Sequence, residues 1–274
     1  MSVPLRLRVP ALTFHDVHPE SLPPASSAQA PMRGQADPFY SINEQGMEDL
    51  LSRLRKLGYR TISSRVFRGW QRNEQTLPER PVVLTFDDGY ASHFDVVTPM
   101  LVHHRFTGTF FVTTDFVGRP GYVTWEQLRK MVFLGMEIGS HGKTHRLLTQ
   151  LSPEDKTFEL AESKRIIESE LGVPVRAIAA PGGFWSRSLA GTAQRLGYEA
   201  AWVSDIGLNK PNTFAFALKR LPVHQPLDSD RLLAMVEGRR RILWTAIARQ
   251  GMISVLKAGL GVAGYEKLKR RVRQ

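Results

Sequence analysis

Short, continuously apolar runs alternate along most of this chain with longer stretches whose apolar residues recur every three or four positions. Pro81–Phe86 and residues 108–112, 136–138, 177–180 and 200–203 are runs of the first kind. Their length and their β-branched and aromatic content predict strands buried on both faces. Residues 44–57 are of the second kind: Met47, Leu50, Leu51, Leu54 and Leu57 fall at helical spacing, and Gly58 ends them. Thr98–His104 and residues 124–133, 152–171 and 186–196 predict further helices. Thr124 with Gln127 reads as a capping box, Ser152-Pro153 as a helix start, and Gly172 as a C-cap. A first strand over 5–14 runs into His15-Asp16, a short strand follows at 59–62, residues 214–223 are extended, and a helix starts at Ser229. Residues 19–38, rich in Pro, Ala, Ser and Gln, predict a long mobile loop.

Alternation of strand and helix at this spacing predicts parallel strands, either an open α/β sheet or a (β/α) barrel. In barrels the chemistry gathers at the carboxyl ends of the strands. The polar motifs of this chain fall at those ends. Strand 81–86 runs into Asp87-Asp88-Gly89, strand 136–138 into Gly139-Ser140-His141, and strand 177–180 into Pro181-Gly182-Gly183. Adjacent carboxylates repel, and a divalent cation relieves that repulsion: one carboxylate ligates it while its neighbour stays free as a base for bound water. His141 and His145, four residues apart, face one way if they share a helical turn, and can then share the metal. Two imidazoles and one carboxylate leave open positions for water and substrate.

Thr85-Phe-Asp-Asp-Gly89 followed by Ser140-His-x-x-Thr-His145 resembles the first two motifs of the polysaccharide deacetylases of the chitooligosaccharide type, and the exopolysaccharide branch in particular. The resemblance covers roughly residues 5–225 and takes in Thr109-Phe-Phe-Val112 and Ala180-Pro-Gly-Gly183. It implies a distorted, incomplete (β/α) barrel that removes an N-acetyl group from an amino sugar in a polysaccharide or lipid-linked glycan. By the same resemblance Asp87 is the catalytic base, and Asp88, His141 and His145 bind a divalent metal, zinc first among the candidates. The resemblance also makes the Gly182 N–H, next to Pro181, the candidate donor to a developing oxyanion. A different acyl group, such as formyl, would suit the same pocket, and a non-catalytic carbohydrate-binding protein could use the same fold.

Two positions depart from the family pattern. Ala179 stands where an arginine usually holds the catalytic aspartate, which leaves Arg187 or Arg176 to orient Asp87. The histidine that protonates the leaving amine comes either from Leu12-Thr-Phe-His15 or from Leu221-Pro-Val-His224. His15 is preferred, because the first and last strands of a closed barrel are neighbours. Trp185, directly after the Pro-Gly-Gly turn, and Trp202 are candidates for packing against sugar C–H faces.

Composition changes the picture in two places. With no cysteine among 274 residues, disulfides, thiolate ligands and a cysteine nucleophile are excluded. The net charge of +11 is concentrated: residues 239–274 hold ten basic residues against Glu266. Residues 1–228 therefore read as the catalytic domain and 229–274 as a basic helical tail. In that tail Ile242, Leu243, Ala246, Ile247, Met252 and Ile253 interleave with the basic residues. Such a tail suits peripheral contact with an anionic membrane; with Trp244 and Tyr265 as its aromatics and no recognised module, it argues against nucleic acid. The absence of a long apolar run at the start predicts a cytoplasmic protein, peripheral at the inner face of the membrane.

Overall fold

The computed structural model describes residues 7–19 and 38–252. The predicted loop, apart from its edges, and the tail beyond 252 lie outside the described residues. The strands are β1 (Ala11–Phe14), β2 (Asp16–His18), β3 (Ser41–Asn43), β4 (Arg60–Thr61), β5 (Pro81–Phe86), β6 (Thr109–Val112), β7 (Glu137–Ser140), β8 (Ala177–Ala179), β9 (Ala200–Ile206) and β10 (Leu218–Pro222). Seven of them form a ring of parallel neighbours in the order β1-β10-β9-β8-β7-β6-β5, and β1 closes it on β5. β1 therefore fills the slot between the last strand and the strand that carries Asp87. The expected (β/α) barrel is present, and among the described residues its ring is closed rather than incomplete. β4 extends β5 at its start, and β2 with β3 make a small parallel pair beyond the end of β1.

The helices follow from the same sequence pattern. They are α1 (Glu44–Lys56), α2 (Ser64–Gln71), α3 (Thr98–His104), α4 (Trp125–Phe133), α5 (Pro153–Leu171), α6 (Arg187–Arg195) and α7 (Ser229–Val236). The capping box of α4 is formed, with Thr124 and Gln127 bonding each other's backbone. Ser152 caps α5, which Gly172 ends in the left-handed region.

Strand alternation sorts the apolar residues into two cores. Leu12, Phe14, Leu84, Phe86, Phe110, Val112, Ile178 and Leu221 face the helices. Ala11, Val83, Phe111, Ala177, Ala179, Ala200, Trp202 and Leu218 fill the lumen, which Phe67 and Trp70 of α2 help to pack. Large rings sit beside small residues in that lumen. A Cβ on Gly139 would lie 2.6 Å from the Phe111 ring and 2.9 Å from the Ala177 carbonyl oxygen. Gly139→Ala is therefore expected to destabilise the protein by about 1–3 kcal/mol through overpacking, read as a lower thermal midpoint.

Trp202 corrects the sequence reading. It is fully buried in this lumen, 5.8 Å from Phe67 ring to ring, and its indole N–H donates to Ser64 Oγ at 2.8 Å. It plugs the barrel and has no face to offer a sugar.

The described part of the tail packs on the barrel. Residues 232–236 of α7 are buried, and residues 240–252 form a further helix, α8, whose Leu243 and Ala246 join the outer core. No helix among the described residues is long and apolar enough to cross a membrane.

Candidate metal centre and catalytic pocket

The lumen alternation that buries Val83 and Thr85 continues to Asp87, and that of Ala11 and Thr13 continues to His15. On β10 the same face carries Leu218 and then Arg220. Asp87 and Arg220 are both buried, and Arg220 Nη1 donates to Asp87 Oδ1 at 2.8 Å. The guanidinium is fixed by its Nε bond to the Val203 carbonyl at 3.1 Å and lies 3.4 Å from Thr85 Oγ1. Thr85 in turn donates to the Leu12 carbonyl at 2.7 Å, so the closing strand β1 helps to hold the assembly. Burial works to raise the pKa of Asp87. The charge and hydrogen bond of Arg220, together with His141 and His15, outweigh it and hold the carboxyl below its ordinary range.

This is where the sequence reading of the orienting arginine is corrected. Arg176 is engaged by Glu199, and Arg187 is exposed at the start of α6. Arg220 was missed; the available signal was a charged residue at a lumen position of Leu218-Lys-Arg-Leu-Pro222, two places from a buried leucine.

Asp88 and Gly89 both adopt left-handed backbone, with φ of 79° and 84°. For a non-glycine residue that costs about 1–2 kcal/mol, and it breaks the strand so that the two adjacent carboxylates serve different partners. Asp88 Oδ1 lies 3.2 Å from His141 Nε2 and 3.0 Å from His145 Nε2. The His141 ring is oriented from behind: Nδ1 lies 2.9 Å from the Ala179 carbonyl oxygen. A carbonyl only accepts, so Nδ1 carries the hydrogen and a neutral His141 presents a lone pair to Asp88. Asp88 Oδ1 is buried and has no hydrogen bond of ordinary geometry. Donor atoms of Asp88, His141 and His145, all within 4.8 Å of one another, converge with their lone pairs on one point. A cation at that point satisfies them all, so the residues fit a divalent metal.

The two histidines do not share a helical turn, as their spacing had suggested. Residues 141–147 are a loop, and His145 has a φ of 64°. The loop is folded around the buried Glu159 of α5, whose Oε2 accepts from the backbone N–H of Lys143 at 2.8 Å and of Thr144 at 2.9 Å. The Thr144 hydroxyl donates to the other oxygen. Glu159→Ala is expected to release His145 and weaken metal binding about 10–100-fold, measured by competition against a chelating dye.

His15 stands half-buried at the end of β1, 4.8 Å ring to ring from Tyr40. Its carbonyl accepts from His93 Nε2 at 2.6 Å, and His93 opens the π-helical turn His93–Val97 beyond the Asp-Asp motif. Burial lowers the His15 pKa against the pull of Asp88 and Asp87. His224 stands elsewhere: it stacks on Phe39 at 4.4 Å, and the charges that bear on it are Arg249 and Arg231. The structure thus brings His15, and not His224, to the paired carboxylates.

Pro181–Gly183 forms a tight turn at the end of β8, with Pro181 buried, Gly182 exposed and left-handed at φ 67°. Trp185 is half-buried against the outer core. A row of rings that the sequence did not single out lines the other side. Phe116 is 5.9 Å from His145, Tyr122 is 4.8 Å from Phe116, and Tyr90 stacks on Tyr122 at 5.5 Å.

Residues 74–201 match the family model described as Polysaccharide deacetylase. The chain is 33% identical over 129 residues to a chitooligosaccharide deacetylase of a Bradyrhizobium species, covering 46% of this chain and 57% of that one. It is 29% identical over 119 residues to the poly-beta-1,6-N-acetyl-D-glucosamine N-deacetylase of Escherichia coli K12, covering 38% of this chain and 18% of that one. The curated relatives are thus matched over only part of their own length. In fold it resembles a deacetylase of Streptococcus pyogenes solved with acetate, with a TM-score of 0.74 and 24% identity over 84% of this chain and 98% of that one. It also resembles IcaB from Ammonifex degensii, with a TM-score of 0.69 and 23% identity over 84% and 96%.

Proposed function

We propose, from the premise that the chain carries a polysaccharide deacetylase domain over residues 74–201, that it hydrolyses the N-acetyl group of an amino sugar in a polysaccharide or lipid-linked glycan. One observation carries the reading: an Asp87 carboxylate held ionised by buried Arg220, directly beside the convergent donors of Asp88, His141 and His145. The names of the relatives, which act on chitooligosaccharide and on poly-N-acetylglucosamine, support an amino-sugar substrate.

Asp88, His141 and His145 would hold the metal, and two imidazoles with one carboxylate suit zinc. Such an ion, when bound, supplies Lewis-acid polarisation of the amide carbonyl and acidifies water. Asp87 then takes a proton from the attacking water. Its own low pKa keeps it ready as a base across the neutral range, and Arg220 fixes the direction of its free lone pairs. The Gly182 N–H meets the developing oxyanion. His15 delivers a proton to the leaving nitrogen. A C–O bond forms, the C–N bond breaks, and acetate and a free amino sugar leave. Pro181, Trp185 and the Phe116–Tyr122 rings offer the walls along which the sugar lies; His224 is further out.

The alanine at 179, where the family pattern has an arginine, is what would favour a non-catalytic reading. Arg220 takes over the task of the absent guanidinium and weighs against it. Residues 1–228 form the catalytic unit in this reading, and the basic residues of 239–274 attach it to the inner face of an anionic membrane.

The test is acetate and free-amine release from N-acetylated chitooligosaccharide, poly-N-acetylglucosamine and a lipid-linked sugar pool, beside an O-acetylated glycan. Equal amounts of acetate and amine from one of the N-acetylated substrates support the proposal. Acetate from the O-acetylated glycan alone would overturn it in favour of an esterase. Formate in place of acetate would make the acyl group formyl.

A further inference from the structure

The last described helix has two faces, and the barrel uses one. Leu243 and Ala246 of α8 are buried, with Ile242 and Ile247 packed beside them. Four of the apolar residues that the sequence pattern offered to a membrane, Ile242, Leu243, Ala246 and Ile247, are thus spent on the barrel. Gln250 ties the helix to the pocket's rim: its Nε2 donates to the Ser204 carbonyl at 2.6 Å, and its Oε1 accepts from the Ile206 N–H at 2.8 Å. Ser204 backs the Pro-Gly-Gly turn so closely that a Cβ on Gly183 would lie 1.6 Å from Ser204 Oγ.

The outward face is different in character. Trp244 is 65% exposed and Met252 is 60% exposed. With the exposed Ala248 between them, at positions i, i+4 and i+8, they form one apolar stripe. Arg240, Arg241 and Arg249 flank the stripe, all exposed, and no Asp or Glu occurs between 239 and 252. An indole and a thioether left in water beside three guanidinium groups make an interfacial surface: apolar atoms for the acyl boundary, cations for the phosphates above it. A nucleic acid backbone would use the arginines but leave the Trp244–Met252 stripe without a role.

We infer that this face of α8 seats the protein on an anionic lipid bilayer, with the rim of the catalytic pocket held beside the membrane surface. The inference deepens the proposed function, and rests on it for the meaning of that placement: a substrate presented at the membrane, as a lipid-linked sugar is.

The experiment is co-sedimentation of the full chain with phosphatidylcholine vesicles, with and without phosphatidylglycerol. Wild-type protein should bind the anionic vesicles, release at high salt, and show a blue shift in tryptophan emission that Trp244→Ser removes. Joint Trp244→Ser and Met252→Ser substitution should weaken binding roughly 10-fold or more. Each of Arg240→Gln, Arg241→Gln and Arg249→Gln should cost roughly fivefold. All these positions are exposed, and thermal midpoints should stay unchanged. The inference is overturned if the Trp244/Met252 variant binds like wild type, if neutral vesicles bind equally well, or if duplex DNA strips the protein from vesicles and binds that variant undiminished. Vesicle binding needs no turnover. If it behaves as described while no substrate yields acetate, the docking face stands and the catalytic reading fails.

Discussion

Asp87→Asn should lower kcat about 10²–10⁴-fold while the protein still binds one equivalent of metal. Asparagine keeps the shape of the side chain and an oxygen that can accept from Arg220, so the buried guanidinium retains a partner. What it loses is the lone-pair charge that takes the proton from water. Metal retention follows from the division of labour between the two carboxylates: Asp88, not Asp87, faces His141 and His145. KM should change little. An Asp87→Asn protein that keeps its turnover would remove the base from the account.

Removing the charge of Arg220 should act on stability, on pH dependence and on rate together. Asp87 is buried, and Arg220 is its cation. Arg220→Gln leaves an uncompensated buried carboxylate, at a cost of about 3–5 kcal/mol at neutral pH. The sign with pH follows from linkage. In the wild type Asp87 sits below its ordinary pKa, so its contribution is present above the ordinary carboxylate range and is lost as pH falls through the lowered value. In the variant burial is unopposed and the pKa moves up. The variant's deficit is then largest at neutral pH and shrinks on acidification. The acid limb of kcat/KM should shift to higher pH, and Arg220→Lys should recover part of it by restoring a point charge. Equal destabilisation at every pH, with an unmoved acid limb, would mean that Arg220 only packs.

The difference between Asp87 and Arg220 also shows what the sequence could and could not reveal. Asp87, Asp88, His141 and His145 sit at the ends of apolar runs, in two compact motifs, and it was the two motifs together, through their resemblance to a known family, that gathered them. His15 was reachable from the closure of a barrel, since β1 must lie beside the last strand. Arg220 belongs to no motif near Asp87. It meets Asp87 because β10, β1 and β5 are neighbours in register, with Leu12 opposite both Leu221 and Leu84, and pairing register is a long-range property. The orientation of His145 was misread because its spacing fits a helix, while Glu159, fourteen residues on, folds the segment into a loop. Trp202 was misassigned for a simpler reason: a tryptophan near a motif looks the same in sequence whether it lines a groove or plugs a lumen.

The central claim is that a metal centre and the Asp87 base together cleave an N-acetyl group. Its most direct test is acetate release by protein stripped of metal and then titrated with zinc. The account predicts no release from the stripped protein, recovery that saturates at one zinc per chain, and no recovery in Asp87→Asn at the same zinc content. Undiminished release from the stripped protein, or full zinc occupancy that restores nothing on any N-acetylated substrate, would contradict it.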